Sequence, residues 1–253
     1  MKNDYLQRLK YIFWDIVAAI FSYTALYYFR QTVIEKQRFA DAAPSFGQTY
    51  FIALVLIAGF WVTTYWITGF YKDIYRRSRL KELIYTFNST LLGCIFIFFA
   101  LMLNDWVNNF TDYYKSFLTY FGFQFFTTAF LRFLISTRTA IRIKKGKIWF
   151  NTILIGSNEN AVDLYTEMAN SKGYGNKFVG FVSVHNNIRF LVEKNLQHLG
   201  PHNELDSIIK EFEVEEVIIA SESSEHGKLE EIINNLEGSN VTVKMIPDTY
   251  DII

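Results

Sequence analysis

Residues 147–161, KIWFNTILIGSNENA, separate two parts of the sequence that differ in composition and charge. Aromatic runs and basic loops precede this stretch, and an acidic pattern of alternating short apolar and amphipathic segments follows it. Residues 1–150 contain 18 Lys+Arg and 8 Asp+Glu, whereas residues 151–253 contain 7 and 17. The neutral total therefore hides a basic half and an acidic half. This asymmetry predicts two domains, the basic one at a membrane surface and the acidic one in water.

The basic half contains four apolar stretches of about 20 residues, each long enough to cross the roughly 30 Å hydrocarbon layer as a helix. Four such runs fit the buried helices of a soluble bundle much less well. We therefore predict a four-span membrane domain at residues 1–147. The predicted spans are Tyr11–Phe29, Tyr50–Tyr71, Leu83–Leu103 and Phe117–Ile135.

The basic residues predict the orientation of these spans, because Lys and Arg beside short loops are retained in the cytoplasm. Thirteen of them lie in the N-terminal tail, in the loop after the second span and in the segment after the fourth. The loop 104–114 contains none. We expect both termini to be cytoplasmic, and the loops 30–49 and 104–114 to face outward. No cleavable signal peptide is evident.

Two charged residues fall inside the predicted spans, where a charge usually has a partner or a short route to water. Asp15 is about one turn inside the first span, and Arg132 is about one turn from the end of the fourth. The predicted topology places both at a similar depth. We hypothesise that they form an ion pair. The alternative, two independent side chains that extend to the interface, stays open at this point.

The loop after the second span, KDIYRRSRLKE at residues 72–82, concentrates basic residues beside a membrane helix. Such clusters attract anionic headgroups and phosphates. Topology retention alone accounts for this cluster, and a phosphate-binding role is the lesser alternative. No TVGYG-like filter is present, which argues against a potassium channel.

The acidic half, residues 148–253, alternates short apolar runs with segments of helical period, a pattern typical of βαβ units around a parallel sheet. We therefore predict a small Rossmann-like α/β domain with a mostly parallel sheet. Its predicted strands are Thr152–Ile155, Phe178–Val184, a short Leu196–Leu199, Glu216–Ala220 and Val241–Ile246. Its predicted helices are Asn160–Ser171, Glu204–Phe212 and Glu225–Leu236.

The turn after the first predicted strand, GSNENA, resembles the dinucleotide pattern GxGxxG/A only in part. Gly156 and Ala161 fit the first and third positions, but Asn158 occupies the second, where a Cβ crowds a pyrophosphate. The ribose-binding carboxylate is also missing, because the second strand runs into His185. We therefore do not expect NAD, and we keep a nucleotide or nucleotide sugar at this turn as the candidate ligand. The alternative is a turn without a ligand.

Other residues give weaker signals. Gly200 and Pro201 separate His198 from His202, which argues against a metal pair, and we predict no metal site. Serines after the third long strand fit a helix cap better than a nucleophile, and Asp248 and Asp251 fit turns. The single cysteine, Cys94, excludes a disulfide framework. We therefore predict no catalytic residues.

Taken together, the four spans, the basic exit and the segments ILIGSNENAVDLYTEM, FVGFVSV, VEEVIIAS and VTVKMIPDTYDII resemble a known family. They are similar to the amino-terminal, non-catalytic region of large multi-span polyprenyl-phosphate sugar-1-phosphate transferases of bacteria, of the undecaprenyl-phosphate glucose/galactose phosphotransferase type. The same arrangement precedes the catalytic domain of membrane-bound nucleotide-sugar 4,6-dehydratases, which is the alternative. The IPDTYDII ending favours the transferases.

The transferase resemblance implies a location in the bacterial inner membrane and a role in starting capsule, exopolysaccharide or O-antigen synthesis. It implies a CoA-binding-like soluble domain, and a catalytic domain beyond Ile253 that would use magnesium. Undecaprenyl phosphate and a UDP-sugar would be engaged through that domain, so we expect the chain alone to be inactive. Its expected partners are the lipid bilayer and a second copy in a homodimer, with no nucleic acid. A stand-alone metabolite sensor is a further alternative.

Overall fold

A computed structural model describes residues 4–34, 46–72, 74–102, 110–170, 175–184, 191–220, 226–236, 238–239 and 241–245. The described residues divide into two compact units, one up to Ala140 and the other from Ile141 onward. The domain boundary predicted at residues 147/148 falls between the last long helix and the first strand. The two units are presented separately.

The first unit consists of long helices whose length and apolar composition allow them to span a membrane, which confirms this part of the predicted fold. Short π-helical segments, Arg30–Ile34 and Phe98–Met102, extend the first and third helices. The helices are α1 (Asp4–Phe29), α2 (Gln48–Ile67), α3 (Arg79–Ile97) and α4 (Phe110–Lys144).

Helix α2 ends at Ile67, earlier than predicted, because Gly69 has a φ of +70° and closes the helix. The N–H of Gly69 donates to the carbonyl of Trp66 at 3.0 Å, and the N–H of Phe70 donates to the carbonyl of Tyr65 at 2.9 Å. These are the two hydrogen bonds of a Schellman motif. The residues of this turn are mostly apolar, so hydropathy does not distinguish them from the helix. The sequence therefore predicts the end of the second span too late, at Tyr71 instead of Ile67.

The other helices extend into polar sequence, because hydropathy marks only the apolar part of a helix whereas Gln, Lys and Arg continue it readily. Helix α1 begins before the predicted Tyr11, and α4 exceeds the predicted span at both ends. Helix α3 begins at Arg79, where Ser78 caps it by accepting from the N–H of Lys81 at 3.3 Å. The predicted end of this third span, Leu103, lies outside the described residues.

The second unit is an α/β domain with a five-stranded sheet of order β3-β2-β1-β4-β5, in which all neighbouring strands are parallel. This confirms the predicted Rossmann-like fold. Two short 3₁₀ segments, Leu191–Lys194 and His202–Glu204, lie in the connections. The strands are β1 (Phe150–Ile155), β2 (Asn176–Ser183), β3 (His198–Pro201), β4 (Glu216–Ile219) and β5 (Thr242–Met245), and the helices are α5 (Glu159–Asn170), α6 (Leu205–Glu211) and α7 (His226–Leu236).

Helices and connecting segments cover both faces of this sheet. Successive residues of a strand point to opposite sides, so each strand contributes side chains to both faces. On one side Ile153, Ile155 and Val217 pack with residues of α6 and α7. On the other side Leu154 and Ile218 pack with Ala161 of α5 and with Val192 and Leu196. The core therefore consists of two apolar layers on the two faces of the sheet.

Strand β3 lies two residues later than predicted, because Leu196 still belongs to a turn in which its N–H donates to the carbonyl of Val192 at 3.0 Å. The strand then passes very close to β2. A Cβ at Gly180 would lie 2.5 Å from Cγ of Leu199. The predicted ends at Ser171, Glu225 and Ile246 lie outside the described residues.

Candidate functional site

The sheet order places the topological switch point between β1 and β4, from which the connections leave in opposite directions. Ligands of open parallel sheets bind at such a switch point, beyond the carboxyl ends of the strands. Gly156 follows β1 there and Ala220 follows β4. The predicted turn therefore lies at the position where this fold places a ligand.

Gly156 is required by the backbone of the neighbouring strand. Its φ is +125°, and an added Cβ would clash with the carbonyl oxygen of Ala220. The N–H of Gly156 donates to the carbonyl of Val182 at 3.1 Å, and the N–H of Ala220 donates to that of Ile155 at 2.9 Å. The glycine thus lets the ends of β1 and β4 approach, whether or not a ligand is bound.

Asn158 is the N-cap of α5. Its Oδ1 accepts a hydrogen bond from the N–H of Ala161 at 3.0 Å. Asparagine is among the preferred N-cap residues because its side chain satisfies an otherwise unpaired amide of the first turn. Glu159 follows it as the first helical residue and is exposed. The cap and this carboxylate make the helix terminus less favourable for a pyrophosphate than that of an intact glycine-rich turn.

Ala161 is fully buried between α5 and the sheet, beside Leu154 and Ala220. It therefore has the packing role of the third motif position. The N–H of Leu191 donates to the carbonyl of Ser157 at 3.2 Å, so the segment after β2 returns to the same turn. His185 and the serines after β4, including Ser221, lie outside the described residues, as do Asp248 and Asp251.

The two histidines considered as a metal pair lie in different elements. His198 lies on β3, where its Nε2 is 3.1 Å from Oγ of Ser183 and its ring packs on Phe181. His202 begins the following 3₁₀ segment. Among the described residues, no group of three or more His, Cys, Asp or Glu side chains is arranged to hold a metal ion.

The helical unit contains the ion pair hypothesised from the sequence. Asp15 of α1 and Arg132 of α4 are each 1% exposed and are joined by two hydrogen bonds. Nε of Arg132 donates to Oδ1 of Asp15 at 2.9 Å, and Nη2 donates to Oδ2 at 2.8 Å. Such a two-point contact satisfies charges that would be costly if left unpaired in a dry environment. The ion-pair hypothesis is confirmed over the alternative of two independent side chains.

The turn after α2 and helix α3 each supply a polar contact to this pair. The hydroxyl of Tyr71 donates to Oδ2 of Asp15 at 2.8 Å, and Nη1 of Arg132 donates to Oγ1 of Thr86 at 2.9 Å. Sequence reasoning missed both residues. Tyr71 follows the unexpected turn after α2, and only the four-residue spacing of Thr86 from Glu82 would have marked a polar stripe on α3.

Aromatic rings cover the same arginine. Cζ of Arg132 lies 3.5 Å from the ring centroid of Phe70 and 4.1 Å from that of Tyr65. A second guanidinium near this ring belongs to Arg77, in the loop before α3, with Cζ at 4.5 Å from the Phe70 centroid. Partial burial lowers the pKa of Arg77, and the nearby carboxylate of Glu82 opposes this shift. The Schellman turn thus brings an aromatic residue between two cations.

These features define the class of protein. The chain combines helices that can span a membrane with a Rossmann-like α/β domain. A family model described as a CoA-binding domain matches residues 71–247, which is more than half of the chain. The chain belongs to this family. The match begins before α3, so it includes two of the long apolar helices as well as all five strands. A search of curated proteins gave no match.

Proposed function

We propose that the chain is the membrane-anchoring and regulatory portion of a sugar-phosphate transferase that starts a polysaccharide repeat unit on undecaprenyl phosphate. Two findings support this proposal. The family match treats α3, α4 and the α/β domain as one unit, which suits a soluble domain held at the membrane. The quoted segments, including EEVIIA and IPDTYDII, resemble the transferases.

We further propose that the α/β domain binds a nucleotide or nucleotide sugar at the crevice between β1 and β4. The observation that carries this is the position of Gly156 and Ala220 at the switch point of the sheet. Open parallel sheets bind ligands there. The family name, CoA-binding domain, adds coenzyme A as a second nucleotide to be tested.

The geometry of Asn158 narrows the ligand class. Because its side chain occupies the amide of Ala161, a dinucleotide would have to displace the cap to place its pyrophosphate in the usual position. UDP-glucose, UDP and coenzyme A also carry a pyrophosphate, so the cap disfavours them as it disfavours NAD. The site additionally lacks the carboxylate that binds the ribose of NAD, so we expect NAD to bind least tightly of these four.

A binding titration of the full chain in lipid nanodiscs, with UDP-glucose, UDP, coenzyme A and NAD as probes, tests the site. Asn158→Asp keeps an acceptor for the cap but adds a negative charge beside any phosphate. We expect it to weaken binding about tenfold or more, equivalent to at least about 1.4 kcal/mol. Thr166→Asp adds the same charge at an exposed position two turns further along α5, and we expect it to bind as the wild type does.

Two results would contradict the binding proposal. If none of the four probes shows saturable binding, the domain is a structural platform. If both aspartate variants weaken binding equally, the charge acts at long range and the ligand does not lie at the turn. Asn158→Gly sharpens the test, because it restores a GxGxxA pattern and should improve NAD binding above all.

The coding sequence beyond Ile253 tests the transferase assignment. A following membrane-associated segment with an Asp and Glu pair supports it. A second Rossmann domain with an intact glycine-rich turn would instead identify the dehydratase arrangement. We expect the chain alone to leave a UDP-sugar and undecaprenyl phosphate unchanged, and turnover by the purified chain would contradict this.

A further inference from the structure

A groove of about 280 Å³ lies between α3 and α4. Its walls include Leu80, Leu83 and Phe133, which are 67%, 47% and 48% exposed although they belong to helices that can span a membrane. Exposed apolar side chains on such helices face hydrocarbon rather than water. The groove is therefore placed to receive a lipid chain.

The floor of the groove is polar but already satisfied. Arg132 and Thr86 line it, and they are hydrogen-bonded to each other at 2.9 Å while Arg132 is paired with Asp15. Glu82 also lines the groove, and it interacts with Tyr11 and Ser136. These contacts leave little for a water-soluble polar ligand to bind, which favours an occupant whose inserted part is apolar.

The groove is lined by one basic residue that has no ion pair with a described residue. Arg79, the first residue of α3, lines it, and its Cζ lies 5.2 Å from the ring centroid of Phe133. In the part of the chain that the structure describes, no carboxylate lies within ion-pair distance of Arg79. An anionic headgroup beside it would supply the missing counter-charge, since basic residues next to a span attract anionic lipids.

We propose that this groove binds one anionic phospholipid, with a hydrocarbon chain between α3 and α4 and the headgroup phosphate on Arg79. The occupant would contact the two helices that Arg132 links to α1 through Asp15. A bound lipid would thus stabilise the packing around the buried ion pair.

Native mass spectrometry of the full chain in detergent tests this proposal, with titrations of phosphatidylglycerol and of phosphatidylcholine of the same chain length. One basic residue near the surface contributes about 1 kcal/mol to binding an anionic lipid. We therefore expect the wild type to prefer phosphatidylglycerol about fivefold. Arg79→Gln should abolish this preference, and Arg79→Lys should keep most of it.

Lys81 provides a matched control, because it is an exposed cation in the same helical turn but does not line the groove. Lys81→Gln should keep the preference. If Lys81→Gln and Arg79→Gln reduce it equally, the cations act only as diffuse surface charge and the proposal is overturned. An unchanged preference in Arg79→Gln would overturn it as well.

A second pair of variants tests the groove without changing any charge. Ala129→Leu adds volume inside the groove, because Ala129 lines it. This variant should weaken the binding of phosphatidylglycerol and of phosphatidylcholine alike. Gly122→Leu adds volume on the same helix where a new Cβ meets no atom within 4 Å, and should have no effect. Equal lipid binding by Ala129→Leu and the wild type would show that no chain enters the groove.

Discussion

Among the described residues, twelve polar or charged side chains are buried in the helical unit, whereas three are buried in the α/β unit. The surface of the helical unit is instead rich in apolar side chains. Large exposed examples are Leu56, Ile67 and Phe126. The two units of one chain thus distribute polarity in opposite ways. This distribution is the one expected of a helical unit in a bilayer and an α/β unit in water.

In water, burial of apolar surface drives folding at about 25 cal/mol per Å², which suits the two apolar layers of the sheet. In a bilayer, lipid tails are as apolar as Leu, so this force does not join helices. Packing and hydrogen bonds have to join them instead. Arg132 of α4 contacts Asp15 of α1 and Thr86 of α3, and therefore connects three helices through one side chain.

The largest expected effect is loss of this buried pair. Arg132→Met leaves Asp15 buried without its cation, and removal of one partner of a buried pair typically costs about 3–5 kcal/mol. Unfolding of the purified chain by SDS titration measures the loss. The fluorescence of Trp61 reports on this unit, because its indole is buried and donates to the hydroxyl of Tyr120 at 2.8 Å.

Two controls define that result. Arg138→Met removes an exposed arginine from the same helix and should change stability by no more than about 0.5 kcal/mol. The double variant Asp15→Leu, Arg132→Met removes both charges, and its loss should be well below the sum of the two single losses. Additive losses would mean that the two charges do not stabilise each other, and the contrast between the units would fail.

Shortening a large apolar side chain should destabilise the α/β unit more than the helical unit. Leu154 is fully buried in the sheet, so Leu154→Ala should destabilise the α/β unit by about 2–5 kcal/mol. Leu56 is 67% exposed on α2, and Leu56→Ala should cost at most about 0.5 kcal/mol in a lipid environment. Hydrogen exchange measured separately for each unit checks both variants. A large loss from Leu56→Ala would show that α2 packs against another protein surface.

A third test separates backbone strain from close contact. Gly156 and Gly146 both have positive φ, but an added Cβ clashes with Ala220 only at Gly156, and meets no atom within 4 Å at Gly146. Gly146→Ala should therefore cost about 1–2 kcal/mol, the ordinary penalty of a left-handed residue. Gly156→Ala should cost more, about 3 kcal/mol, because strain and contact add. Equal losses in thermal unfolding would contradict the close approach of β1 and β4.

The sequence predicts the type and order of the main elements, because hydropathy and period report which side chains face which solvent. It also suggests the ion pair as one of two alternatives, since Asp15 and Arg132 fall at a similar depth once the topology is assumed. It does not reveal the contact of Tyr71 with Asp15, because this depends on a Schellman turn inside an apolar run. Nor does it show that Asn158 caps α5, because the helical pattern predicts a start at Asn160, one residue after the observed start at Glu159.

The smallest expected effect concerns the buried carboxylate of the α/β unit, which is the counterpart of Asp15. Glu216 is 1% exposed and lies 2.6 Å from Nζ of Lys244, whose side chain is 50% exposed. Nδ2 of Asn176 also donates to Glu216, at 3.0 Å. Because the ammonium group of Lys244 reaches water, solvent can replace much of the stabilisation of Glu216 that Lys244→Met removes. We expect a loss of about 1 kcal/mol or less.

Hydrogen exchange of the amides of β4 and β5 measures this loss, with Lys210→Met as the control for removal of a cation elsewhere in the same unit. A loss close to that of Arg132→Met would mean that Glu216 depends on a single partner, as a charge in the membrane does. A loss near zero would mean that Asn176 and water satisfy the carboxylate. The size of the loss therefore measures how far water reaches the edge of the sheet, which is the property that separates the two units.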